Sequence, residues 1–539
     1  MCIIIVTISI DLIINFLALY IMNKFRLQFP GNVKCWVLTF ILICGTSMFT
    51  ACSDDDDATV IEPEETQQLA DYTIIYYGHG GGNLDACLVS DMIEFYGADD
   101  DCYKNVNVCA LYKYSAANNI TEDLETYSNI TDYTDFLKKL LPYAGKSVRY
   151  VIDDKIDKSF LESDDEDIAI VPGITDVYGD DNADITNPDS LTNFINWAAS
   201  VRPAKKYILI LSDHGGGYQP DGELSENVSA ARTRGVIYDC GNNDKHFTAM
   251  TLAQAIKAAK VRPACIYLDA CLMNCIEYQF ELAPFCDYLA LSTFLVPGQG
   301  GDYSALINIL SQNPDNLENA LSTYVKTVID NWDKEAEEYQ KEEVYHDMTI
   351  TCTANLDAFG RELRAFTDRL IAAYQSGDAE VKAKIDKCTA GAYKVEMQRP
   401  NYDLFQYMLS LCEQLPELST EALWEASYKS VVYEQSSKWL HENGLPVGYS
   451  ILLGCQGHYC YNSGKLQVFY NADGTCEYMS NGTLKPDSPW GSTLDDTYGQ
   501  LRFDQITGWS RWIKLNEQQP NLDCFSGYNP FATFITSEK

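Results

Sequence analysis

Two segments of the sequence each carry a reactive side chain directly after a run of hydrophobic residues. The first is KYILILSDHGGG, in which His214 follows the run and three glycines follow the histidine. The second is CIYLDACLMNC, in which Cys271 comes two residues after Asp269. Glycines let a substrate approach the backbone and leave N–H groups able to donate. A thiol and an imidazole together are the groups that acyl transfer through a cysteine nucleophile needs.

This pair predicts covalent catalysis if the two side chains meet. Cys271 would attack a carbonyl carbon, His214 would protonate the leaving amine, and backbone N–H groups near Gly215 and Cys271 would hold the oxyanion. We expect Cys271 to open a helix, because the positive end of a helix favours a thiolate. Taken singly, a histidine after a strand is more often structural, and a buried cysteine is more often an inert core residue.

From residue 71 onward, short apolar runs alternate with amphipathic stretches, which is typical of an α/β domain with a largely parallel sheet. The carboxyl ends of such strands form the ligand crevice, so the residues just after them are the first candidates for chemistry. The predicted strands cover 72–77, 105–112, 148–152, 206–211 and 265–268, and the predicted helices cover 190–199 and 250–260 with a cap near Thr251. Beyond residue 303 long helices predominate, followed by a strand at 447–454 and a tail rich in Tyr, Asn, Gly and Trp.

Several motifs occur together in one order. After the first strand comes NLD at 83–85, then a helix lead-in DITNPDSLTNFINWA, RGVIYD at 234–239, and VPGQGGDY at 296–303. With the histidine strand and the later DAC-L-M segment, this set resembles the clostripain-like cysteine peptidases of the caspase-like clan. The resemblance covers residues 71–305 well and the remainder thinly.

The resemblance implies a caspase-like three-layer α/β/α domain with a mostly parallel central sheet, plus a helical and mixed C-terminal region. It also implies a cysteine endopeptidase that works through a Cys271–His214 dyad. His79 also follows a strand and precedes a glycine, but its spacing to Cys271 does not match the family pattern. We therefore do not expect His79 to be the general base.

The resemblance further implies cleavage after arginine or lysine, with acidic residues at the base of the pocket. Asp269 matches one such position. The second comes from the proline-glycine loop in the family, and here that place holds Gln299, with Asp302 nearby but displaced. One carboxylate fewer weakens the case for a cation in the pocket, so a neutral preference stays open.

The polar stretch at 221–234 lies between the two candidate catalytic strands and contains Arg232 and Arg234. Family members are often activated by a cut between the histidine and the cysteine, so this stretch is a candidate for self-cleavage or an ordinary surface loop. No His/Cys cluster has metal-ligand spacing, and we expect no cofactor. Calcium, which some relatives use, stays an alternative without an EF-hand-like loop to support it.

The amino terminus reads as a targeting region. A basic stretch precedes the apolar run at 36–49, which ends before Ala51 and Cys52, as in a bacterial lipoprotein signal with Cys52 as the lipidated residue. Met22 would then be a sensible first residue of the translated protein. The alternative interpretation is that the apolar runs at the amino terminus are transmembrane helices. The four aspartates at 54–57 look like an acidic surface-export tag. We expect lipid anchoring at the outer membrane of the cell envelope, facing outward.

The charge balance bears on partners. The 539 residues carry 77 acidic and 39 basic side chains, a formal charge of -38, which disfavours nucleic acid and favours protein or peptide substrates. We expect a monomer organised as 1–52 (signal), 53–70 (acidic linker), 71–305 (catalytic domain), 306–460 (helical region completing it) and 461–539 (accessory region).

Two rival functions remain. A catalytically inactive surface lipoprotein could keep the peptidase fold for binding, since function lies in the site and not in the fold. A thiol amidase acting on non-peptide substrates would keep the dyad and differ in the pocket. The intact His214 and Cys271 favour an enzyme over the first rival.

Overall fold

The computed structural model describes part of the chain in detail. The described residues are 69–126, 131–155, 171–180, 183–218, 235–341, 344–393, 395, 401–443, 448–453, 460–462, 465–467, 469–470, 476–480, 483–485 and 497–517. The predicted lipidation site Cys52 and the candidate cleavage residues Arg232 and Arg234 lie outside this set. Within these ranges, no helix combines the length and the apolar character that crossing a bilayer requires.

Eighteen strands are described. Their bounds are β1 Ala70–His79, β2 Val106–Lys113, β3 Ser147–Ile152, β4 Ile174–Tyr178, β5 Ala204–Ser212, β6 Val236–Asp239, β7 Lys245–Phe247, β8 Cys265–Asp269, β9 Tyr288–Leu291, β10 Asp347–Cys352, β11 Asn401–Asp403, β12 Val431–Ser436, β13 Ser450–Leu452, β14 Cys460–Asn462, β15 Lys465–Gln467, β16 Phe469–Tyr470, β17 Cys476–Ser480 and β18 Thr483–Lys485.

Fifteen α-helices are described. Their bounds are α1 Asp85–Glu94, α2 Ala117–Thr126, α3 Thr131–Leu140, α4 Pro188–Val201, α5 Ala249–Ala258, α6 Ile276–Leu282, α7 Tyr303–Gln312, α8 Leu317–Glu338, α9 Thr353–Tyr374, α10 Ala379–Ala390, α11 Leu404–Gln414, α12 Glu421–Ser430, α13 Lys438–Glu442, α14 Arg502–Thr507 and α15 Ser510–Glu517.

Nine strands form one central sheet in the order β12-β10-β9-β8-β5-β1-β2-β3-β4. The five strands from β9 to β2 run parallel to their neighbours. The strands at both ends are added antiparallel. Because β10 and β12 come from beyond residue 305, the later part of the chain completes the sheet that the first part begins.

Both faces of this sheet are buried, as a mostly parallel sheet requires. In β5, Leu209 and Leu211 point into one hydrophobic core together with α4, α5, α6 and α9. The alternate residues Ile208 and Ile210 point into a second core with α1, α7 and α8. The period-two alternation of a strand therefore separates two cores, and the three-layer α/β/α prediction is confirmed.

The predicted strands and helices are confirmed with small shifts of their bounds. In α4, Pro188 stands in the first turn and the Asn187 side chain accepts the backbone N–H of Asp189 at 3.0 Å, which caps the helix. The predicted cap of α5 is wrong by one turn. Thr248 is the capping residue, and Thr251 is its partner three residues later in a capping box.

Candidate functional site

The two candidate catalytic segments leave the sheet side by side. Strands β5 and β8 are parallel neighbours, and Ser212 of β5 is paired in register with Asp269 of β8. His214 and Cys271 each follow this pair by two residues. Adjacent strands lie about 4.8 Å apart, so the imidazole and the thiol rise from the same edge of the sheet on neighbouring backbones.

Gly215 packs directly on the backbone of Cys271. A Cβ atom at Gly215 would overlap the carbonyl oxygen of Cys271 and would lie 2.8 Å from its nitrogen and 2.9 Å from the Cβ of Ala270. This approach is possible only for a residue without a side chain. The glycine after the histidine therefore lets the two segments come into backbone contact.

The imidazole of His214 is held on one edge. Its Nε2 atom lies 2.7 Å from Oδ1 of Asn83. Because an amide oxygen accepts, Nε2 of His214 is the donor in this contact. A Cβ at Gly81, where φ is +54°, would lie 2.6 Å from Cδ2 of the ring, so a glycine is needed for this approach too.

The turn that carries Asn83 is followed by the buried carboxylate of Asp85, which anchors it to the end of β2. Oδ1 of Asp85 accepts the hydroxyl of Tyr112 at 3.0 Å and the backbone N–H of Ser115 at 3.1 Å. The backbone N–H of Asn83 donates to the carbonyl of Gly80 at 3.1 Å. In the NLD motif, Asn83 therefore contacts His214, and Asp85 anchors the turn that carries Asn83.

The backbone before and after His214 is anchored by Asp213. One oxygen of this buried carboxyl accepts the N–H of His214 at 2.6 Å, and the other accepts the N–H of Tyr238 at 2.5 Å. Gly216 donates to the carbonyl of Gly235 at 2.8 Å. Burial raises the pKa of Asp213 well above its ordinary value despite these bonds. The short hairpin β6–β7 therefore supports the histidine segment.

The sulfur of Cys271 receives a backbone donor. The N–H of Val296 lies 3.4 Å from Sγ, and the carbonyl of the same residue lies 3.9 Å from it. Cys271 is half-buried against a small apolar cluster that includes Leu272, Phe294 and Trp439. A thiolate at this position would accept a charge-assisted hydrogen bond from Val296.

The expectation that Cys271 opens a helix is wrong. The helix that follows, α6, begins at Ile276. Between them the chain turns through Leu272 at φ +64° and pairs with the segment after β9, with Leu272 donating to Phe294 and Asn274 donating to Ser292, each at 2.9 Å. Cys271 therefore does not stand at a helix terminus, and the N–H of Val296 is a donor to its sulfur.

The three residues expected at the substrate pocket differ in the contacts that they make. Oδ2 of the buried Asp269 accepts the hydroxyl of Tyr303 at 2.7 Å and the N–H of Gly301 at 3.1 Å. Asp302 instead caps α7, accepting the N–H of Ala305 at 2.8 Å, and its other oxygen accepts the amide of Asn331 at 3.1 Å. Gln299 is half-buried in the loop.

The carboxyl that does approach Asp269 belongs to Asp91 of α1. Both side chains contact the position that a Cβ at Gly300 would occupy. Asp91 was missed by sequence reasoning, although a signal was present. It falls on the apolar stripe of its helix, in step with Leu84, Leu88 and Phe95, where an acid is unusual.

A second cysteine and histidine meet beside the first pair. Nδ1 of the fully buried His79 donates to the carbonyl of Lys113 at 2.7 Å, and Nε2 lies 3.4 Å from Sγ of Cys240. Burial raises the pKa of Cys240 to about 11 and lowers that of His79. This thiol is therefore protonated at neutral pH, which favours a structural role for the pair.

Metal binding has no support in the described ranges, where no three His, Cys, Asp or Glu side chains are arranged to hold an ion. The groups at the sheet edge are a thiol, an imidazole, an amide and a backbone donor.

The chain is similar to known proteins in sequence. A model of the clostripain family matches residues 80–478. Clostripain from Hathewaya histolytica is 26% identical over 261 residues, which cover 46% of this chain and 44% of clostripain. The matched part thus spans less than half of the length of this curated relative.

Solved structures give weaker likenesses. A secreted C11 cysteine protease from Bacteroides thetaiotaomicron, in complex with an irreversible peptide inhibitor, aligns at a TM-score of 0.48 with 16% identity, covering 82% of this chain and 99% of that one. An inactive zymogen C11 protease from Parabacteroides distasonis aligns at 0.47 with 15% identity and the same coverage.

Proposed function

The chain belongs to the clostripain family, and on that premise we propose that it is a cysteine endopeptidase that cleaves peptide bonds after arginine or lysine. In this proposal Cys271 is the nucleophile and His214 transfers the proton. The observation that carries it is the register of β5 and β8, which brings these two residues out at the same edge with Gly215 packed on the backbone of Cys271.

The first half of the reaction forms an acyl-enzyme. The thiol proton of Cys271 passes to Nδ1 of His214, and Sγ forms a bond to the carbonyl carbon of the substrate. The negative charge on the carbonyl oxygen is held by backbone N–H groups near Gly215 and Cys271. The C–N bond then breaks, and the imidazolium gives its proton to the leaving amine.

The second half releases the new carboxyl terminus. A water molecule gives one proton to His214 and attacks the thioester carbon, after which the C–S bond breaks and the thiol recovers the proton. Asn83 acts in both halves as a positioning residue. By accepting the Nε2 proton, it keeps the Nδ1 lone pair available to the sulfur and to the leaving group.

The preference for a cation is supported by Asp269. This carboxyl stands two residues before Cys271 and is buried, and none of the ion pairs described for the structure involves it. A buried carboxylate without a counter-charge is costly, and a guanidinium or ammonium group would supply one.

A hydrolysis assay tests the proposal. Fluorogenic peptides ending in arginine, lysine or the uncharged citrulline would be offered to protein that starts at residue 52 with Cys52→Ser. We expect cleavage of the two basic peptides, and a loss of at least about a thousandfold in Cys271→Ala and His214→Ala. Cys240→Ala, which removes the neighbouring thiol, is the matched control and should cleave normally. Retained cleavage by Cys271→Ala refutes the nucleophile, and cleavage of citrulline peptides alone refutes the basic preference.

We also propose that the protein is a lipoprotein anchored through Cys52 and exposed on the cell surface. The support is the basic stretch, apolar run and small residue before this cysteine. Mass spectrometry of the amino-terminal peptide of the native protein should find acyl chains on Cys52, and a free amino terminus elsewhere in the chain would contradict the anchor.

A third proposal is self-cleavage in the polar stretch that holds Arg232 and Arg234. It is supported by its location between β5 and β8 and by the basic preference proposed above. The purified protein should convert to two bands on a denaturing gel, whereas Cys271→Ala should stay whole. A single uncut band in the active protein after long incubation would argue against processing.

A further inference from the structure

The turn directly after Cys271 needs support from outside. Leu272 adopts φ +64°, a left-handed conformation that a leucine rarely takes and that persists only where neighbouring contacts impose it. The backbone N–H of Leu272 donates to the carbonyl of Phe294 at 2.9 Å. The position of the nucleophile therefore depends on what holds Phe294.

A buried carboxyl holds Phe294 on its other side. Oδ1 of Asp347, the first residue of β10, accepts the backbone N–H of Phe294 at 2.9 Å and that of Thr293 at 2.8 Å. The side chain of Asp347 is completely buried. A single residue, Phe294, thus links this carboxyl to Leu272.

Asp347 takes over where the pairing of two strands stops. The antiparallel ladder between β9 and β10 extends to Leu291, which lies opposite Thr349. After Leu291 the stretch at 292–294 pairs with the nucleophile segment instead. Buried N–H groups need an acceptor, and the carboxyl of Asp347 provides one for two of them. The side chain therefore lets this stretch leave β10 and contact the nucleophile segment.

The far end of the nucleophile segment is held by the later part of the chain. The N–H of Ser450 in β13 donates to the carbonyl of Asn274 at 2.8 Å. Leu272 lies at the other end, beside the nucleophile, where its N–H is bound by Phe294. The end of the segment that carries the sulfur is therefore the end that Asp347 supports.

A carboxyl at this place is costly to the fold. Burial raises the pKa of Asp347 from 3.8 to about 6, against the two N–H bonds that it accepts. The titratable groups that face it are the acids Asp403 of β11 and Glu434 of β12. The preceding residue, His346, contacts Asp333 instead. Among the ion pairs between described residues, none involves Asp347. At neutral pH the fold therefore buries an ionised group without a counter-charge, which indicates a role beyond stability.

We propose that Asp347 is a positioning residue for the nucleophile Cys271. By accepting the N–H groups of Thr293 and Phe294, it fixes the stretch that pairs with the turn after the nucleophile. The same stretch leads to Val296, whose N–H lies 3.4 Å from the sulfur. An ionised oxygen binds two N–H groups more tightly than an uncharged one. The effect on catalysis rests on the function proposed above, whereas the effect on the reactivity of the thiol does not.

The test measures the reactivity of Cys271 together with hydrolysis. The rate of iodoacetamide alkylation at Cys271, followed by peptide mass mapping, would be compared with kcat and KM for a fluorogenic arginine peptide at pH 7.5. We expect Asp347→Ala to lower kcat at least about tenfold and the alkylation rate at least about fivefold, with KM changed less than about twofold. Asp347→Asn keeps an acceptor oxygen at the same place and should stay within about threefold of the parent in both rates.

Unfolding measurements separate positioning from support of the fold. Because ionisation of Asp347 weakens the fold as the pH rises from 3.8 to about 6, Asp347→Asn at pH 8 should unfold at the same denaturant concentration as the parent or at a higher one. Asp504→Ala is the matched control, since Asp504 is also buried and accepts the backbone N–H of Ser510 at 2.7 Å. This variant should lose stability and keep kcat and the alkylation rate of Cys271 within about twofold.

Several outcomes would overturn the inference. They are an equal alkylation rate in the parent and Asp347→Ala, rates in Asp347→Asn as low as in Asp347→Ala, and a loss in Asp504→Ala as large as in Asp347→Ala. If Asp347→Ala does not fold, Asp347→Thr takes its place, because threonine suits a strand and offers only a shorter hydroxyl. The alkylation rate should then fall at least about threefold, and an unchanged rate would overturn the inference equally.

The outcome is separable from that of the proposed function. An alkylation rate of Cys271 that depends on Asp347, in a protein that hydrolyses no peptide, would sustain the positioning role and refute the peptidase. Hydrolysis by the parent, with kcat and the alkylation rate unchanged in Asp347→Ala, would do the reverse.

Discussion

Nε2 of His214 lies 2.7 Å from Oδ1 of Asn83, a residue in the turn after β1 on the opposite side of β5 from Cys271. The imidazole is thus held from one neighbouring strand while the thiol is presented from the other.

Replacing Asn83 should impair catalysis more than binding. Asn83→Ala removes the acceptor for the Nε2 proton, so the ring can rotate or adopt the other tautomer, and we expect kcat to fall about 10- to 100-fold with KM little changed. Asn83→Asp keeps an acceptor oxygen and should recover part of the loss, with a shifted pH profile because a carboxylate favours the imidazolium. Equal kcat values in Asn83→Ala and the parent would contradict the assignment.

The two half-buried thiols near the sheet edge should differ in reactivity. Burial raises the pKa of Cys240 to about 11, so few of its molecules are thiolates at pH 7.5. Cys271 has the Val296 N–H as a donor to its sulfur. Brief treatment with iodoacetamide should therefore label Cys271 first and inactivate the protein in parallel, as peptide mass mapping would show. Faster labelling of Cys240 would refute this order.

A methyl group at residue 215 should disrupt the site. In Gly215→Ala the new Cβ would overlap the carbonyl of Cys271, and the strain should cost about 1–3 kcal/mol of unfolding free energy along with most of the activity. Gly499→Ala is the control, since a Cβ there would lie 4.0 Å from the side chain of Asp504, an ordinary van der Waals distance. Activity and denaturant unfolding measured on both variants check the prediction, which a fully active Gly215→Ala would disprove.

The buried ion pair between Lys113 of β2 and Asp239 of β6 should be important for stability. Nζ of Lys113 lies 2.6 Å from Oδ1 of Asp239 and donates to the carbonyl of Ala183 at 2.7 Å, with both charged side chains almost fully buried. Lys113→Ala removes the lysine ammonium from the buried Asp239 carboxylate, and we expect a loss of about 3–5 kcal/mol of unfolding free energy. Lys104→Ala, which breaks an exposed pair with Asp101, should change stability little. Similar unfolding midpoints for the two variants would be inconsistent with this difference.

Stability should fall as the pH rises from 5 to 8. Burial raises the pKa of Glu277 from 4.5 to about 7, against hydrogen bonds from Leu452 and Tyr498 to its Oε1 atom. The folded protein then keeps a proton that the unfolded chain has released, so deprotonation weakens the fold across this window. The unfolding free energy would be measured with denaturant at pH 5 and at pH 8, and we expect it to fall by roughly 2 kcal/mol less in Glu277→Gln than in the parent protein. Glu338→Gln, at an exposed position, should show the same fall as the parent. An identical pH dependence in Glu277→Gln would rule out this contribution.

The sheet and the catalytic strand ends could be predicted because they follow from local patterns. Apolar runs gave the strands β1, β5 and β8, and the reactive residues follow them directly. The amphipathic pattern predicted α4 at 190–199, and the helix begins two residues earlier, at Pro188. In each case the deciding interaction lies within a few residues of the chain.

The remaining features depend on contacts between distant residues. The start of α6 was mispredicted because Leu272 and Asn274 pair with the segment after β9, which no local pattern reveals. The partner of Asp269 proved to be Asp91, which lies far away in sequence and reaches it through the packing of α1 on the sheet. The donor to the sulfur, the N–H of Val296, is a backbone group and leaves no trace in residue type.

The order of the strands has a consequence for a nicked molecule. A cut between residues 218 and 235 would leave the imidazole on one polypeptide and the thiol on the other. The two pieces would stay joined through the ladder between β5 and β8 and through the cores on both faces. Such a protein would migrate as one particle on a native gel and as two on a denaturing gel, and its halves, expressed separately, should reconstitute one working enzyme.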